Sequence, residues 1–449
     1  MSTFSSLCTN WTSEQTVCKK EASGDLRNVV KTVAHLPNSY NQSLEITLND
    51  RDFDIVARNL ILLLVALVVQ NSDQAIDCII HLWYSALVRE SDIDILNNQI
   101  RPLIQDVYEK VKNKSPNTIL GKTWTFGSRS LRIVLEQTSW TRLLSFFDKP
   151  AGLTAKKASK VRAENTLAHS RRDYRDRHMI YLPSSQRIPF HKFRQDGLLL
   201  PFGFPRHEFK KPNPTFFQTD DTWPMRDNAD PLHGWSLGEV FSTTSGAATA
   251  DTYGKLFYYL RGLLHSFLDR IFELKVSFKL LHLDAADLPD HLDEDSFSRI
   301  DTPNQNPHAT LITLFMNAVE EVMTLEDRLQ GLAPDSRALR DSRKYLPLNK
   351  KPDSRYDPVL MKVQYAQELV ARYEHVFERY LEKLKAREAG DAVGAAMKEK
   401  HSIIEKWPYR LKLRPGQPGA QEEFERCLRD GVSGKERYIE WKRVHQGVI

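Results

Sequence analysis

Apolar positions along the chain follow two periods, which predict alternating helices and strands. In the N-terminal part, spacing by three and four predicts a helix over Leu26–Leu36, and alternation predicts a strand over Leu44–Leu48. The next helix, Ile55–Val69, is apolar nearly all round, so we expect it to be buried. Another helix fits Gln74–Val88. This rhythm of helix and strand is typical of α/β proteins.

The second half of the chain repeats the rhythm. An apolar stripe predicts a helix over Asp251–Phe278, and Ser277–Leu283 follows as a strand that ends at Asp284. Farther on, Leu311–Met323 is predicted to be helical. A stripe of apolar residues also predicts one long helix over Pro358–Arg387.

The two halves are separated by a segment of different character. Residues 151–212 contain 14 Lys and Arg against 5 Asp and Glu, a net charge of +9, and the rest of the chain has −4. Few regular repeats occur there, which predicts a partly extended or flexible segment. We therefore divide the 449 residues into a polar tail (1–23), a first part of the core (24–150), a basic, partly irregular insert (151–230), a second part of the core (231–325) and a helical C-terminal extension (326–449).

Composition narrows the class of protein without naming a reaction. With 41% hydrophobic and 27% charged residues, the chain is an ordinary globular one, and its net charge of +5 is too small for a binder of polyanions along its whole length. The four cysteines form no CxxC pair and no zinc pattern, so we expect no metal and no disulfide framework. We see no secretory signal, and the longest apolar run, Leu60–Val69, is too short to span a bilayer. A cytoplasmic or nuclear location is the expectation.

Two short motifs suggest enzymes but lack the structure that those enzymes need. Gly234–Gly238 matches G-x-S-x-G, yet no apolar strand precedes it, and Ser236 with Glu239 predicts a capping box at a helix start. Gly121–Thr123 resembles the end of a phosphate-binding loop, but Pro116 stands where the required glycine would be. The scattered histidines are expected in core or capping roles.

Acidic residues directly after predicted strands are the more informative signal. In nucleotide-binding α/β folds the ligand lies beyond the carboxyl ends of the strands, where a carboxylate accepts hydrogen bonds from ribose hydroxyls. Asp50 follows a strand and lies 26 residues after Gly24, near the spacing between a glycine turn and a ribose carboxylate. Asp284 follows another strand, in a loop that resembles the adenine-binding loop of methyltransferases. The alternative, that each aspartate only caps the following helix, has equal weight.

Several segments of this sequence resemble a fungal family of unknown function whose N-terminal module is shared with the dynein axonemal assembly factors. The resemblance covers roughly residues 20–325 and rests on these segments: Ala22–Thr32, Leu48–Asp52, Ala57–Leu60, His81–Ser85, Asp230–Leu237 and Asn306–Leu311. It implies a Rossmann-like, methyltransferase-type core interrupted by a long insert. By the same resemblance, Gly24 and Asp25 would lie at the cofactor turn, Asp50 at the ribose and Asp284 near the adenine of S-adenosylmethionine.

Two differences from the family pattern predict a degraded pocket. The segment before Gly24 carries charges at Lys19, Lys20 and Glu21, where family members show an apolar first strand. After Phe297–Ile300, where we expect a strand, the chain passes almost directly to Asn306, which shortens the wall that would face a methyl acceptor.

Three functions from different classes remain open at this point. One is a methyltransferase of unknown substrate that uses S-adenosylmethionine, a reaction that needs mainly alignment in a dry pocket. A second is a non-catalytic assembly or interaction module that binds a protein partner through the helix Pro358–Arg387, although packing on its own domain is the preferred interpretation of that stripe. The third is RNA binding through Arg171–Arg177, for which a solvated charged surface is the preferred alternative.

Overall fold

The computed structural model describes most of the chain up to residue 301 and part of the remainder. The described residues are 16–20, 25–182, 184–225, 229–284, 287–291, 299–301, 337–346, 362–363, 366–367, 369–370, 374–392, 395–401, 405–407, 410–429, 437–439 and 441–443. They belong to two compact units, which we call the larger unit (2–175 and 183–303) and the smaller unit (176–182 and 304–449).

A six-stranded sheet forms the centre of the larger unit. The strands of this unit are β1 (Thr16–Lys20), β2 (Leu44–Asn49), β3 (Leu87–Val88), β4 (Ile119–Phe126), β5 (Arg129–Glu136), β6 (Lys211–Pro212), β7 (Val276–Leu281) and β8 (Arg299–Asp301). The order in the sheet is β4-β5-β7-β2-β1-β8, in which only β4 runs antiparallel to its neighbour. Strands β3 and β6 form a separate antiparallel pair. The larger unit is therefore an α/β fold with a mainly parallel sheet.

The helices of this unit are α1 (Arg27–Ala34), α2 (Phe53–Val68), α3 (Ser72–Tyr84), α4 (Glu90–Ile95), α5 (Arg101–Val111), α6 (Gln137–Ser145), α7 (Ala155–Thr166), α8 (Arg172–Tyr181), α9 (Ser184–Asp196), α10 (Leu237–Ser242) and α11 (Thr252–Glu273), with a π-helical turn at Leu96–Ile100. Among them, the apolar pattern predicts only α1, α2, α3 and α11. Helix α8 crosses from the larger unit into the smaller one at residue 176.

The packing of these helices follows from their apolar faces. Helix α11 packs against α1 and α3, and α2 packs against α3 and the strands β5 and β7. Helix α2 is buried on nearly every side, as its continuous apolar sequence predicts, because it lies between the sheet and α3. Asp52 caps its first turn, since its side chain accepts a hydrogen bond from the Asp54 N–H at 2.9 Å.

The basic insert differs from the prediction of a partly extended or irregular segment, because α7 and α9 form there along with α8. The apolar pattern missed α7 since its inner face is built from Ala158, Arg162 and Thr166, which are all buried although only one of them is apolar. The sequence Arg171–Arg177, considered for RNA binding, spans a 3-10 turn and the start of α8.

The hairpin of β4 and β5 was not predicted from the apolar pattern. Gly121–Thr123, which resembles a phosphate-binding loop, lies inside β4 as extended backbone. Gly127 makes the tight turn between the two strands with a φ of +64°, in the left-handed region that glycine adopts without strain. The strand β4 is exposed along most of its length, so it lacks the continuous apolar character that marks a buried strand.

The first strand forms despite the charges that predicted its weakening. Thr16–Lys20 pairs in parallel with β2 on one side and with β8 on the other. The short strand expected after Phe297 is also present, as β8. Backbone hydrogen bonds define both strands, and the charged residue Lys20 takes part in the register opposite Leu48 and Asp301.

The smaller unit contains helices α12 (Arg337–Tyr345), α13 (Glu374–Lys383), α14 (Ala386–Ala392) and α15 (Ala420–Arg429), and the antiparallel strands β9 (Ala395–Met397) and β10 (Trp441–Arg443). Its core has α12 against α15, with the rings of Tyr345 and Phe424 stacked at 4.4 Å between centroids. Buried Glu423 accepts hydrogen bonds from the N–H groups of Lys412 and Leu413. A satisfied carboxylate thus fixes the loop before α15.

The long helix predicted over Pro358–Arg387 is interrupted in the structure. The chain turns after α13, where Lys385 adopts a φ of +48°, and α14 starts at the next residue. The apolar side chains Val376, Phe377 and Tyr380 are buried, which favours packing within the unit over display to a partner. The helix predicted over Leu311–Met323 lies outside the described residues.

Candidate functional site

The carboxyl ends of β2 and β7 are joined by a side-chain amide. Asn49 donates from Nδ2 to the carbonyl of Leu283 at 3.1 Å and accepts at Oδ1 from the Leu283 N–H at 3.1 Å. The N–H of Asp50 also donates to the carbonyl of Leu281 at 3.3 Å. These bonds hold the residues that follow the two strands, among them Asp50 and Asp284, at one edge of the sheet. We call this the carboxyl edge.

Asp50 is buried at this edge, with 7% of its surface exposed. Its Oδ1 accepts a hydrogen bond from the Asp52 N–H at 2.9 Å, and Asp52, not Asp50, caps α2. The capping alternative for Asp50 is therefore wrong, because its carboxylate supports the turn before the helix and leaves the cap to its neighbour.

Asp284 is exposed just beyond β7, and its carbonyl accepts from the Asp287 N–H at 3.1 Å. Gly24 lies outside the described residues. The four predicted cofactor residues are thus placed as follows: Asp50 and Asp284 at neighbouring strand ends, Asp25 in the turn before α1, and Gly24 undescribed.

Asp25 is engaged by an arginine of its own helix. Arg27 donates from Nε to Asp25 at 2.9 Å, and its backbone N–H donates to the same carboxylate oxygen at 3.0 Å. The guanidinium of Arg27 also donates from Nη1 to the carbonyl of His233. Gly234 has a φ of +87°, and a side chain there would collide with Arg27. A glycine is required because the loop passes directly over the guanidinium.

A second arginine near the same turn has fewer partners. Arg58 on α2 donates from Nη2 to the carbonyl of Trp83 at 3.1 Å, at the end of α3, and its guanidinium lies 4.2 Å from the ring centroid of Phe216. Its Nε is buried and has no hydrogen-bond partner. No acidic side chain in the described ranges comes within 4 Å of this guanidinium.

Aromatic side chains pack together at the end of α3, where Arg58 binds the carbonyl of Trp83. Trp83 and Tyr84 stack at 5.3 Å, and Trp235 meets Trp83 edge-on at 6.1 Å. Trp235 is 1% exposed and donates from Nε1 to the hydroxyl of Tyr84 at 3.0 Å. We call Arg58, Trp83, Tyr84 and Trp235 the Arg58 cluster. It combines one cation with three polar aromatic side chains, of which Trp83 and Trp235 are buried while Tyr84, like Arg58, is half-buried.

Electrostatics in this region reflect burial. Burial lowers the pKa of Arg58 to about 10, although Asp25, Tyr84 and Asp54 oppose the shift by their charges. Burial also raises the pKa of the Tyr84 hydroxyl, with a further contribution from Asp25. The phenol of Tyr84 is consequently neutral at any physiological pH and available as a hydrogen-bond donor.

A network of ionised and hydroxyl groups lies next to the cluster. Lys31 on α1 donates to both carboxylate oxygens of Glu239, at 3.2 and 3.0 Å, and Tyr259 donates to Glu239 at 2.6 Å. Ser236 accepts from the Glu239 N–H at 3.5 Å and caps α10, which is the serine half of the predicted capping box, while the Glu239 carboxylate binds Lys31 and Tyr259. The serine of the G-x-S-x-G match is thus a helix cap.

The described histidines and acidic residues do not gather into a metal site. Within the described ranges there is no group of three or more His, Cys, Asp or Glu residues able to hold a metal ion. His81 is buried and bonded through Nδ1 to Asp92 at 2.9 Å, which confirms the predicted core role for this histidine. Searching the described residues for a helix long and apolar enough to cross a membrane gives none.

The Arg58 cluster was missed at the level of sequence. Nothing in the apolar pattern connects Arg58 with Trp235, because they meet only through the packing of α2, α3 and the loop before α10. The family resemblance was the only sequence signal for this cluster, because His81–Ser85 and Asp230–Leu237 were among the segments that carried it. Those two segments meet at the hydrogen bond between Tyr84 and Trp235.

Comparison with known proteins gives one match. A family model described as a domain of unknown function (DUF4470) matches residues 13–88, which include β1 to α3 and the residues Asp25, Asp50, Arg58 and Tyr84. Neither the curated proteins nor the solved structures contain a match. The N-terminal part of the larger unit is therefore similar to an uncharacterised domain family.

Proposed function

We propose that the larger unit is a Rossmann-like, methyltransferase-type domain that binds S-adenosylmethionine at the carboxyl edge of its sheet. The substrate that would receive a methyl group is not defined by this proposal. The observation that carries it is the position of Asp50 at the end of β2, the strand beside β1.

The strand order supports this proposal. From β1 the chain moves to β2, then to the β4–β5 hairpin and to β7, all on the same side, and it crosses to the other side of β1 for β8. In open α/β sheets, ligands bind beyond the carboxyl ends of the strands at the point where the strand order reverses. That point lies between β1 and β8, next to the turn that contains Asp25.

Asp50 has the position and the chemistry of a ribose acceptor. It follows the strand adjacent to β1, and its burial removes competing water from a carboxylate that would accept hydrogen bonds from two ribose hydroxyls. Asp284, exposed at the end of the next strand, lies on the side of the site where we propose that the adenine binds.

Isothermal titration calorimetry of the full chain with S-adenosylmethionine tests this proposal. We expect binding in the wild type and at least a tenfold weaker affinity in Asp50→Asn, equivalent to about 1.4 kcal/mol. The asparagine keeps an oxygen for the Asp52 N–H while removing the charge. The matched control is Asp73→Asn, an exposed aspartate in the first turn of α3 that pairs with Arg261. Absence of binding heat, or equal affinity in both variants, would refute the proposal.

A second candidate is a non-catalytic module that keeps the fold, as the internal engagement of Asp25 suggests. Both carboxylate oxygens of Asp25 contact Arg27, which also holds the loop at His233. Residues at the predicted cofactor turn therefore stabilise the protein itself. Cofactor binding without methyl transfer to any protein, RNA or small molecule of a cell extract supplied with labelled S-adenosylmethionine would favour this candidate.

A further inference from the structure

The guanidinium of Arg58 has donors that the protein does not use. One N–H group, at Nη2, donates to the carbonyl of Trp83. The buried Nε has no partner, and Nη1 makes no hydrogen bond to a described residue. A buried N–H without an acceptor costs roughly 1–3 kcal/mol, so an acceptor that reaches this guanidinium from outside the chain would remove that cost.

Tyr84 provides another unused donor beside it. Its oxygen accepts from Trp235, but within the described part of the larger unit no acceptor lies in range of its own O–H group. Trp83 connects the two donors, because Arg58 binds its carbonyl and Tyr84 is the next residue in the chain. Tyr84 also lies near enough to act on the pKa of Arg58 through its charge, so a charged donor and a neutral donor occur in the same neighbourhood.

Their neighbourhood favours a small anion over water. Phe216 covers one face of the guanidinium, and Trp83 and Trp235 surround the phenol. In a setting of low polarity, a charge-assisted hydrogen bond is stronger than in bulk solvent. Asp25 and Asp54 lie near enough to act on Arg58 through their charges, but they are paired with Arg27 and Arg142.

We propose that Arg58 and Tyr84 bind the carboxylate at the amino-acid end of the ligand held at the carboxyl edge. This inference rests on the proposed function and adds the group that recognises the part of S-adenosylmethionine distant from its adenine. The planar fork of an arginine matches two carboxylate oxygens, and the tyrosine O–H supplies a third hydrogen bond.

The test compares two ligands that differ in that part. S-adenosylhomocysteine carries the amino-acid group, and 5′-methylthioadenosine has the same adenosine and thioether without it. Calorimetry on the full chain should show at least tenfold tighter binding of S-adenosylhomocysteine by the wild type. Arg58→Met should remove this preference and leave the affinity for 5′-methylthioadenosine within twofold. Tyr84→Phe should reduce the preference by a smaller factor, about threefold to tenfold.

The control is Arg162→Met, which also removes a buried arginine that stacks on aromatic rings and donates to helix carbonyls. It should keep the ligand preference. If Arg58→Met does not fold, Arg58→Lys and Tyr84→Phe carry the test, because both retain the bulk of the side chain.

Three results would decide against the inference. Equal wild-type affinity for the two ligands, or an unchanged preference in Arg58→Met, overturns it while the proposed function stands. Failure of the wild type to bind either ligand overturns the proposed function, and the inference falls with it.

Discussion

Arg58 and Arg162 have closely similar surroundings in two regions of the larger unit, yet the protein uses them differently. Burial lowers the pKa of each to about 10, and each guanidinium lies over aromatic rings. Arg162 donates to the carbonyls of Arg194 and Phe193, both at 2.9 Å, and so completes the end of α9. Arg58 donates once, to Trp83, and its buried Nε has no partner.

The difference separates a structural arginine from one with capacity for a ligand. Buried cations are expensive, so a protein that needs one only for stability surrounds it with acceptors, as at Arg162. At Arg58 the same free-energy cost of burying a cation is offset by fewer hydrogen bonds. The hydrogen bonds at the two sites thus fit a structural role for Arg162 and the proposed ligand-binding role for Arg58.

The largest expected effect is on stability at Arg162. Replacement by methionine removes two hydrogen bonds from a buried cation to the carbonyls of Arg194 and Phe193, so Arg162→Met should lower the free energy of unfolding by about 3 kcal/mol. Arg58→Met removes one hydrogen bond and should lower it by about 1 kcal/mol. Urea denaturation followed by tryptophan fluorescence measures both. An equal decrease in the free energy of unfolding in the two variants would show that Arg58 has a structural role as well.

Glycine 197 gives a sharper measure of how rigidly Arg162 is held. A Cβ at this position would lie 2.6 Å from Nε of Arg162, and the residue has a φ of +70°. Gly197→Ala should therefore cost about 2 kcal/mol, from backbone strain and from the clash with a side chain that its two carbonyl bonds hold in place.

The control is Gly152→Ala, where φ is +74° and no atom lies within 4 Å of the added methyl group. Its loss should be about 1 kcal/mol, due to backbone strain alone. Thermal unfolding of the two variants, compared with the wild type, gives the contribution of the clash by difference. No difference between them would mean that Arg162 moves aside freely.

Within the Arg58 cluster, Tyr84→Phe tests the contribution of a single hydrogen bond, the one that Tyr84 accepts from Trp235. It leaves the buried Nε1 of Trp235 without its acceptor, which should lower the free energy of unfolding by about 1 kcal/mol. Near-ultraviolet circular dichroism should show a changed tryptophan signal, since Trp83 and Trp235 both contact this ring. Tyr258→Phe, at an exposed tyrosine on α11, is the control and should leave stability and spectrum unchanged.

The smallest effect concerns pH and the network beside the cluster. Burial acts to raise the pKa of Glu239, but the hydrogen bonds from Tyr259 and Lys31 outweigh it and leave the pKa below its usual value. A carboxyl group with a depressed folded-state pKa stabilises the protein above its unfolded value, roughly pH 4.3, and this stabilisation is lost as the pH falls through the folded value.

Glu239→Gln should therefore reduce stability at pH 7 by about 0.5 kcal/mol, because the group is partly exposed. It should also flatten the decrease in the urea midpoint between about pH 5 and pH 3. A variant with the same pH dependence as the wild type would show that Glu239 is not stabilised by its partners.

The parts of the fold predicted from sequence share one property: their apolar residues alone define the buried face. Helix α11 and strand β7 follow from such patterns. Helix α7 does not, because Arg162 and Thr166 on its buried face are satisfied by carbonyls of a distant segment and of its own turn. The hairpin β4–β5 was missed for a related reason, since one of its strands is largely exposed.

For the candidate site too, only the features that follow from local sequence could be predicted. Asp50 and Asp284 were predicted because strand ends can be read from local sequence, and the structure does bring those strand ends together. Arg58 could not be predicted, since its significance lies in an acceptor that is missing after α2 and α3 have packed. Only the three-dimensional arrangement shows which buried donors have partners.

The amide bridge of Asn49 has a consequence for how the protein is synthesised. Strand β2 leaves the ribosome well before β7, its partner, which emerges only after the hairpin and the entire basic insert. Parallel pairing over such a sequence distance is slow, and the apolar surface of α2 stays exposed to solvent until β7 has paired with β2. Because the Leu283 N–H is protected only when the Asn49 side chain reaches it, its hydrogen exchange reports the moment when β2 and β7 have come together.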